Sequence, residues 1–160
     1  MQNKTSQPEP TYLQFRDRIL TLDPYKLGLK AQFAKEVWGI IMEIGYEVGT
    51  ASLVALADGT TSLYYSTGGG LLGSPDYAPV SEAAKGMVAL AENIIHQASP
   101  TEKVDLPFVG QVRFTFLTFS GKLTTIAPEK TLASGEDSLS QLYHLGRETL
   151  TQLSLLKIKK

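Results

Sequence analysis

Glu43 and Arg113 are the two charges that interrupt the most strongly apolar stretches of this 160-residue chain. With Tyr64 or Tyr65 beside them they have the composition of an acid–base site, a carboxylate to move a proton and a guanidinium to hold an anion. Such chemistry requires both side chains to face one pocket. Each also reads as an outward residue of a strand apolar on one side only, the usual place of a polar residue at alternate spacing. The second candidate is the run Ser66-Thr67-Gly68-Gly69-Gly70. Successive glycine amides with two hydroxyls beside them have the makings of an anion nest, for which Arg113 would be a further contact to phosphate or carboxylate. The same glycines equally permit a bulge, a sharp exit from a strand or a close approach of two backbones.

More specific chemistries are excluded by context. Gly68-Gly69-Gly70-Leu71-Leu72-Gly73 satisfies G-x-G-x-x-G, but Pro75 and Pro79 deny the helix whose amino terminus would hold a pyrophosphate. Gly121-Lys122 is followed by Leu123 and is not a phosphate-binding loop. His96 and His144 are the only histidines and have no carboxylates at metal-ligand spacing, so no metal is expected and both read as solvated surface residues. Zero cysteines remove disulfides, thiolate sites and cysteine nucleophiles together. There is no G-x-S-x-G elbow. No cofactor is implied. Phe114, Phe116 and Phe119 beside Arg113 have the look of a base-stacking platform, but a net charge of -1 provides no basic groove, and core aromatics are the simpler account.

The elements that must position these residues follow from periodicity. Tyr12, Phe15, Ile19 and Leu22 recur at helical intervals after Thr11, which stands at capping-box spacing from Gln14. Residues 25–35 are a connector. Trp38, Ile40, Met42, Ile44 and Tyr46 alternate, which predicts a strand; Phe33, Val37, Ile41 and Ile44 would suit a helix, against which Gly39, Gly45 and the β-branched content weigh. Residues 51–57 are apolar on both faces and fit a covered central strand. Asp58-Gly59 predicts a two-residue hairpin turn with positive φ at both positions, leading into a third strand over 61–66. The glycines and residues 74–79 then form a loop.

The most regular helical pattern comes next, with Val80, Ala83, Ala84, Met87, Val88, Ala91, Ile94 and Ile95 on one face. Residues 101–110 connect it to strands over 111–119 and 122–126, joined at Ser120-Gly121. Ser138 and Gln141 repeat the capping-box spacing before a closing helix with Leu139, Leu142, Tyr143, Leu150 and Leu153 inward. The expected architecture is α+β: an antiparallel sheet of about five strands, in the order helix, three strands, helix, two strands, helix, with helices packed on it. Scaffolds of the profilin and roadblock type share this general composition, as analogy only.

The expected organisation is a disordered leader over 1–10, a single domain over 11–156 and a basic tail over 157–160. No apolar run approaches the roughly 20 residues that span a bilayer, and the amino terminus lacks a secretory core, so a cytoplasmic protein is expected. The run Ala57-Asp58-Gly59-Thr60-Thr61-Ser62-Leu63-Tyr64-Tyr65-Ser66-Thr67-Gly68-Gly69-Gly70, with Val37-Trp38-Gly39 upstream and Arg113-Phe114 downstream, resembles a family of uncharacterised bacterial proteins. That resemblance implies a bacterial setting and transfers no activity. Without a complete set of catalytic groups, the expectation is a non-enzymatic interaction or adaptor protein, most simply a homodimer sharing strand edges or aromatics, with no nucleic-acid or membrane partner. A small-molecule or anion binding protein using Gly68–Gly70, and an enzyme with Glu43 and Arg113 in one pocket, are the alternatives.

Overall fold

The alternation around Ile40 and Met42 produces the longest strand among the described residues and the axis of the sheet. The computed structural model describes residues 7–29, 36–73 and 75–158. In chain order the elements are α1 (Pro10–Leu20), β1 (Val37–Tyr46), β2 (Gly49–Leu56), β3 (Thr61–Tyr65), β4 (Gly70–Gly73), α2 (Ala78–Ile94), β5 (Ser99–Thr101), β6 (Gln111–Thr118), β7 (Gly121–Pro128), α3 (Glu129–Ala133) and α4 (Ser140–Ile158). A 3₁₀ turn over Pro24–Leu27 follows α1. The α+β class and the antiparallel pairing agree with expectation. The sheet has seven strands rather than about five, in the order β4-β3-β2-β1-β6-β7-β5.

Both additional strands are short edge strands. Residues 70–73 were expected in a loop, but Tyr64 pairs with Gly70, and the chain returns along β3. Ser99–Thr101, expected at a helix stop and in a connector, pairs with residues 122–124 of β7. Three- and four-residue strands carry too little period-two signal to stand out beside glycine or proline.

β1 is a strand, as the alternation predicts, but Trp38 does not share a face with Ile40. The register against β6 shifts between Val37 and Gly39. This bulge turns Trp38 to the face of Ile41, while Val37, Ile40, Met42 and Ile44 face the other way. β2 is buried along its whole length between β1 and β3, as its two-sided apolar composition requires. At the following turn Leu56 N–H donates to Thr60 O at 2.9 Å and Gly59 N–H to Leu56 O at 2.9 Å. Three residues therefore form the loop, and Gly59 alone takes positive φ, at 93°. A type I turn followed by a left-handed residue matches the strand twist with a single glycine, so the expected pair of positive φ angles is not needed.

Helices α2 and α4 pack on each other and cover one face of the sheet. Their core joins Ile40, Met42, Leu53, Phe114 and Phe116 to Met87, Leu142 and Leu153. Phe114 and Phe116 are fully buried there, as core aromatics. A smaller core of Leu29, Trp38, Ile41, Val54, Leu56 and Leu117 lies on the opposite face, under Ile19, Leu20 and Leu22 of α1 and the chain just beyond it. The arrangement is three layers.

Two expected caps are displaced. Glu9 is the N-cap of α1 and Pro10 its first residue, with no side-chain cap, so Thr11 is already helical. Ahead of α4, Asp137 Oδ1 accepts from Leu139 N–H at 2.8 Å, and Ser140 Oγ accepts from Asp137 N–H at 3.1 Å, a reciprocal pair one residue before Ser138 and Gln141. Pro8 to Pro10 lie within the described residues, and α4 continues through Ile158. Residues 1–6 of the expected leader, 30–35 of the connector and 159–160 of the tail lie outside them.

Candidate functional site

On the α1 face the antiparallel register sets Tyr64, Ser52, Glu43 and Arg113 side by side across β3, β2, β1 and β6. Four polar or amphipathic residues thus form a row across the sheet, on a face that also carries Ser62 and Thr115. Glu43 is 1% exposed. A carboxylate so deep requires compensation, and α1 supplies it. Arg16 donates from Nε to Glu43 Oε2 at 2.7 Å and from Nη2 to Oε1 at 2.9 Å, a two-pronged pair. Ser52 Oγ donates to Oε2 at 2.6 Å, and Tyr12 Oη lies 2.6 Å from Ser52 Oγ and 3.5 Å from Oε2. Arg16 Nη2 also donates to Val104 O at 3.0 Å, tying α1 to the segment before β6.

The titration behaviour of these groups follows from burial. Burial, and then the Glu43 charge, push the Tyr12 phenol well above its ordinary value. Burial lowers the Arg16 pKa, but the hydrogen bonds and charge of Glu43 outweigh it and leave the guanidinium raised. Arg113 is lowered by burial, against the opposing pull of Glu43 and Asp105.

Glu43 and Arg113 therefore do share a face, as acid–base chemistry would demand, but they do not form a working pair. Arg113 directs Nη1 to Thr124 Oγ1 at 3.0 Å, and its buried Nε has no hydrogen-bond partner. Both oxygens of Glu43 are engaged by α1 and β2, out of reach of a substrate while α1 is seated. Arg16 and Tyr12 escaped the reading of the sequence. Their signal was there, four residues apart on one face of a short helix with a buried carboxylate to meet.

The glycine run has a different character from an anion nest. Gly68 and Gly69 take φ of 112° and 82°. Gly68 N–H is spent on Tyr65 O at 2.9 Å, and Gly69 O accepts from Tyr65 N–H at 3.1 Å. Ser66 is buried, and its Oγ accepts from Thr50 N–H at 2.7 Å. Thr67 is exposed. Ser66 to Gly70 lie together in one hairpin, but Arg113 is not brought to them, since β1 and β2 intervene between β3 and β6. Three strand spacings amount to about 14 Å.

The hairpin instead forms one wall of a cleft of about 320 Å³ whose other wall is α1. Thr11, Tyr12 and Phe15 line its α1 wall and residues of the hairpin the other, where Tyr64 and Leu72 stand on the α1 face and Tyr65, Leu71 and Gly68 to Gly70 complete the lining. Phe15 stacks on Tyr64 with ring centroids 5.3 Å apart. A second cleft of about 580 Å³ lies on the other side of α1, between Leu13 and Arg16 and the Val104–Phe108 segment. His96 and His144 are exposed. Among the described residues no group of histidines and carboxylates is placed to hold a metal, and no helix is long and apolar enough to cross a membrane.

The two edges of the sheet differ. β5 carries Pro100, which has no N–H to offer, and charged Glu102 and Lys103 follow it. β4 carries no charge and no proline, and Leu72 is 73% exposed. The Tyr65–Gly69 bond sets the alternation of the β3–β4 ladder, so Gly70 and Leu72 turn their amides and carbonyls away from β3. Leu72 shares the face of Ser62 and Tyr64, and so stands at the rim of the aromatic cleft.

No family model matches the chain, and comparison with curated proteins and with solved structures finds no similar one.

Proposed function

We propose that this is a non-enzymatic interaction protein of the cytoplasm whose recognition surface is the outer edge of β4 with the cleft between α1 and the β3–β4 hairpin. An extended polypeptide segment adds to β4 as an eighth strand and lays an apolar side chain against Phe15 and Tyr64. The observation that carries this reading is the unguarded edge: outward backbone groups at Gly70 and Leu72 beside an aromatic cleft, in a sheet whose other edge is blunted by Pro100. Main-chain hydrogen bonds give such binding its affinity, and the side-chain pocket gives it selectivity. Proteins normally protect a free apolar edge with charge, proline or a bulge, and β4 has only its brevity.

Selection of random extended peptides on the folded protein tests it. Peptides with apolar residues at alternate positions are expected, with binding lost in Leu72→Lys and weakened in Phe15→Ala. Peptides that bind both variants as tightly as the wild type would defeat the proposal.

A second reading, a small-molecule binder at the same cleft, is favoured by its volume and lining. About 320 Å³ walled by aromatic rings lies at the low end of ligand pockets, roughly 300–1,000 Å³. Flat aromatic compounds rather than phosphates or carboxylates would be its ligands, because aromatic and leucine side chains dominate the lining and the Gly68 amide is spent on Tyr65 O. A thermal-shift screen with both classes separates them.

A further inference from the structure

We infer that the segment received by β4 is β4 of a second copy of this chain, in a register centred on Leu71. The inference rests on the strand-addition reading and names its partner. Its argument is self-complementarity. Only Gly70 and Leu72 direct backbone groups outward, and they flank Leu71. When two such strands meet antiparallel about a two-fold axis at Leu71, Gly70 of each faces Leu72 of the other. Both residues of each pair then exchange N–H···O bonds, and no outward group of either strand is left over.

The side chains fit the same register. Leu72 of one copy projects over Gly70 of the other, on the α1 face in both. Gly70 has no side chain to fill that place, and it lies at the end of the aromatic cleft. The most exposed apolar side chain of the hairpin is thereby set against a residue that must stay glycine, because a Cβ on Gly70 would lie 2.1 Å from the Leu63 carbonyl oxygen. On the opposite face Leu71 meets Leu71, beside the core that holds Leu153 of α4, which packs against β4. The two seven-stranded sheets become one continuous sheet.

The absence of cysteine makes the register directly readable, because one introduced thiol is unique. Centred on Leu71, the two Leu71 Cα atoms form a non-hydrogen-bonded pair about 4.5 Å apart, inside the disulfide range. The two Leu72 Cα atoms lie diagonally, at roughly 8–9 Å, outside it. Leu71→Cys under mild oxidation is expected to run as a covalent dimer, and Leu72→Cys under the same oxidant to give little. Leu72→Lys, on the surface, is expected to be monomeric by light scattering where the wild type is dimeric. A wild-type mass of one chain up to millimolar concentration overturns the inference, and so does equal cross-linking of both cysteine variants. The proposed function is judged separately: a monomer that binds selected peptides at β4 retains it, and a dimer unaffected by Leu72→Lys overturns the inference while leaving the peptide reading to the selection experiment.

Discussion

Arg16 closes over Glu43 with two hydrogen bonds, at 2.7 and 2.9 Å, and so fastens α1 to the central strand. Of the eleven residues of α1 only Tyr12 is fully buried, and Tyr12 belongs to the same network through Ser52. The position of α1, and with it one wall of the aromatic cleft, depends on a polar cluster more than on apolar packing.

Removing one member of this pair leaves a buried charge without its partner, which typically costs about 3–5 kcal/mol. Arg16→Ala is therefore expected to lower stability in urea by an amount of that order. The double replacement Arg16→Met with Glu43→Met is expected to recover most of it, since matched apolar side chains leave no charge stranded. A loss under about 1 kcal/mol in Arg16→Ala, where exposed ion pairs fall, would show that the pair does not organise α1.

Alkaline pH is expected to weaken the fold through buried phenols. Burial, then the hydrogen bond and charge of Glu129, push Tyr143 up to about 12; burial raises Tyr12 further, and Tyr46 in the same direction. The folded chain then holds these protons above pH 10, where the unfolded chain has released them. The stability they confer is complete below pH 10 and falls as pH rises from there through the folded values. Urea midpoints measured between pH 9 and 12 should decline with a slope that becomes shallower in Tyr143→Phe. An unchanged slope in that variant would remove Tyr143 from the account.

Two glycines are expected to respond to alanine with opposite signs. A Cβ on Gly45 would lie 2.1 Å from the Phe108 carbonyl oxygen, so the chain leading into β6 must move. Gly45→Ala should cost about 1–3 kcal/mol, as overpacking does. Gly86, inside α2, has nothing within 4 Å of such a carbon. Gly86→Ala should stabilise the protein by about 0.5–1 kcal/mol through helix propensity. Thermal unfolding of the two variants checks both signs.

The parts of the fold carried by long periodic runs were legible in the sequence. β1 against the helical alternative, the covered strand β2 and the inward face of α2 all followed from spacing, because each buries a continuous stripe. β4 and β5 were not legible, since strands this short are defined by their partners: Gly70 is a strand residue only because Tyr64 lies beside it. Whether Glu43 and Arg113 share a face was open in the sequence and is settled by the register of β1 and β6, and the period of a strand does not reveal which cation will cover a carboxylate. Arg16 comes from a helix 27 residues away, and only tertiary packing decides that it, and not the adjacent Arg113, takes Glu43. The glycine run was read as a loop, since the pairing of Gly70 with Tyr64 and the use of the Gly68 amide by Tyr65 O depend on a hairpin that the sequence did not show.

Amide hydrogen exchange at Gly70 and Leu72, read residue by residue in the free protein and in a saturated complex with a selected peptide or a second copy, tests strand addition at β4 most directly. The account predicts that both amides exchange quickly in the free chain and slowly in the complex, while amides of β5 are unchanged. Exchange at Gly70 and Leu72 that stays fast when the complex is saturated would contradict it.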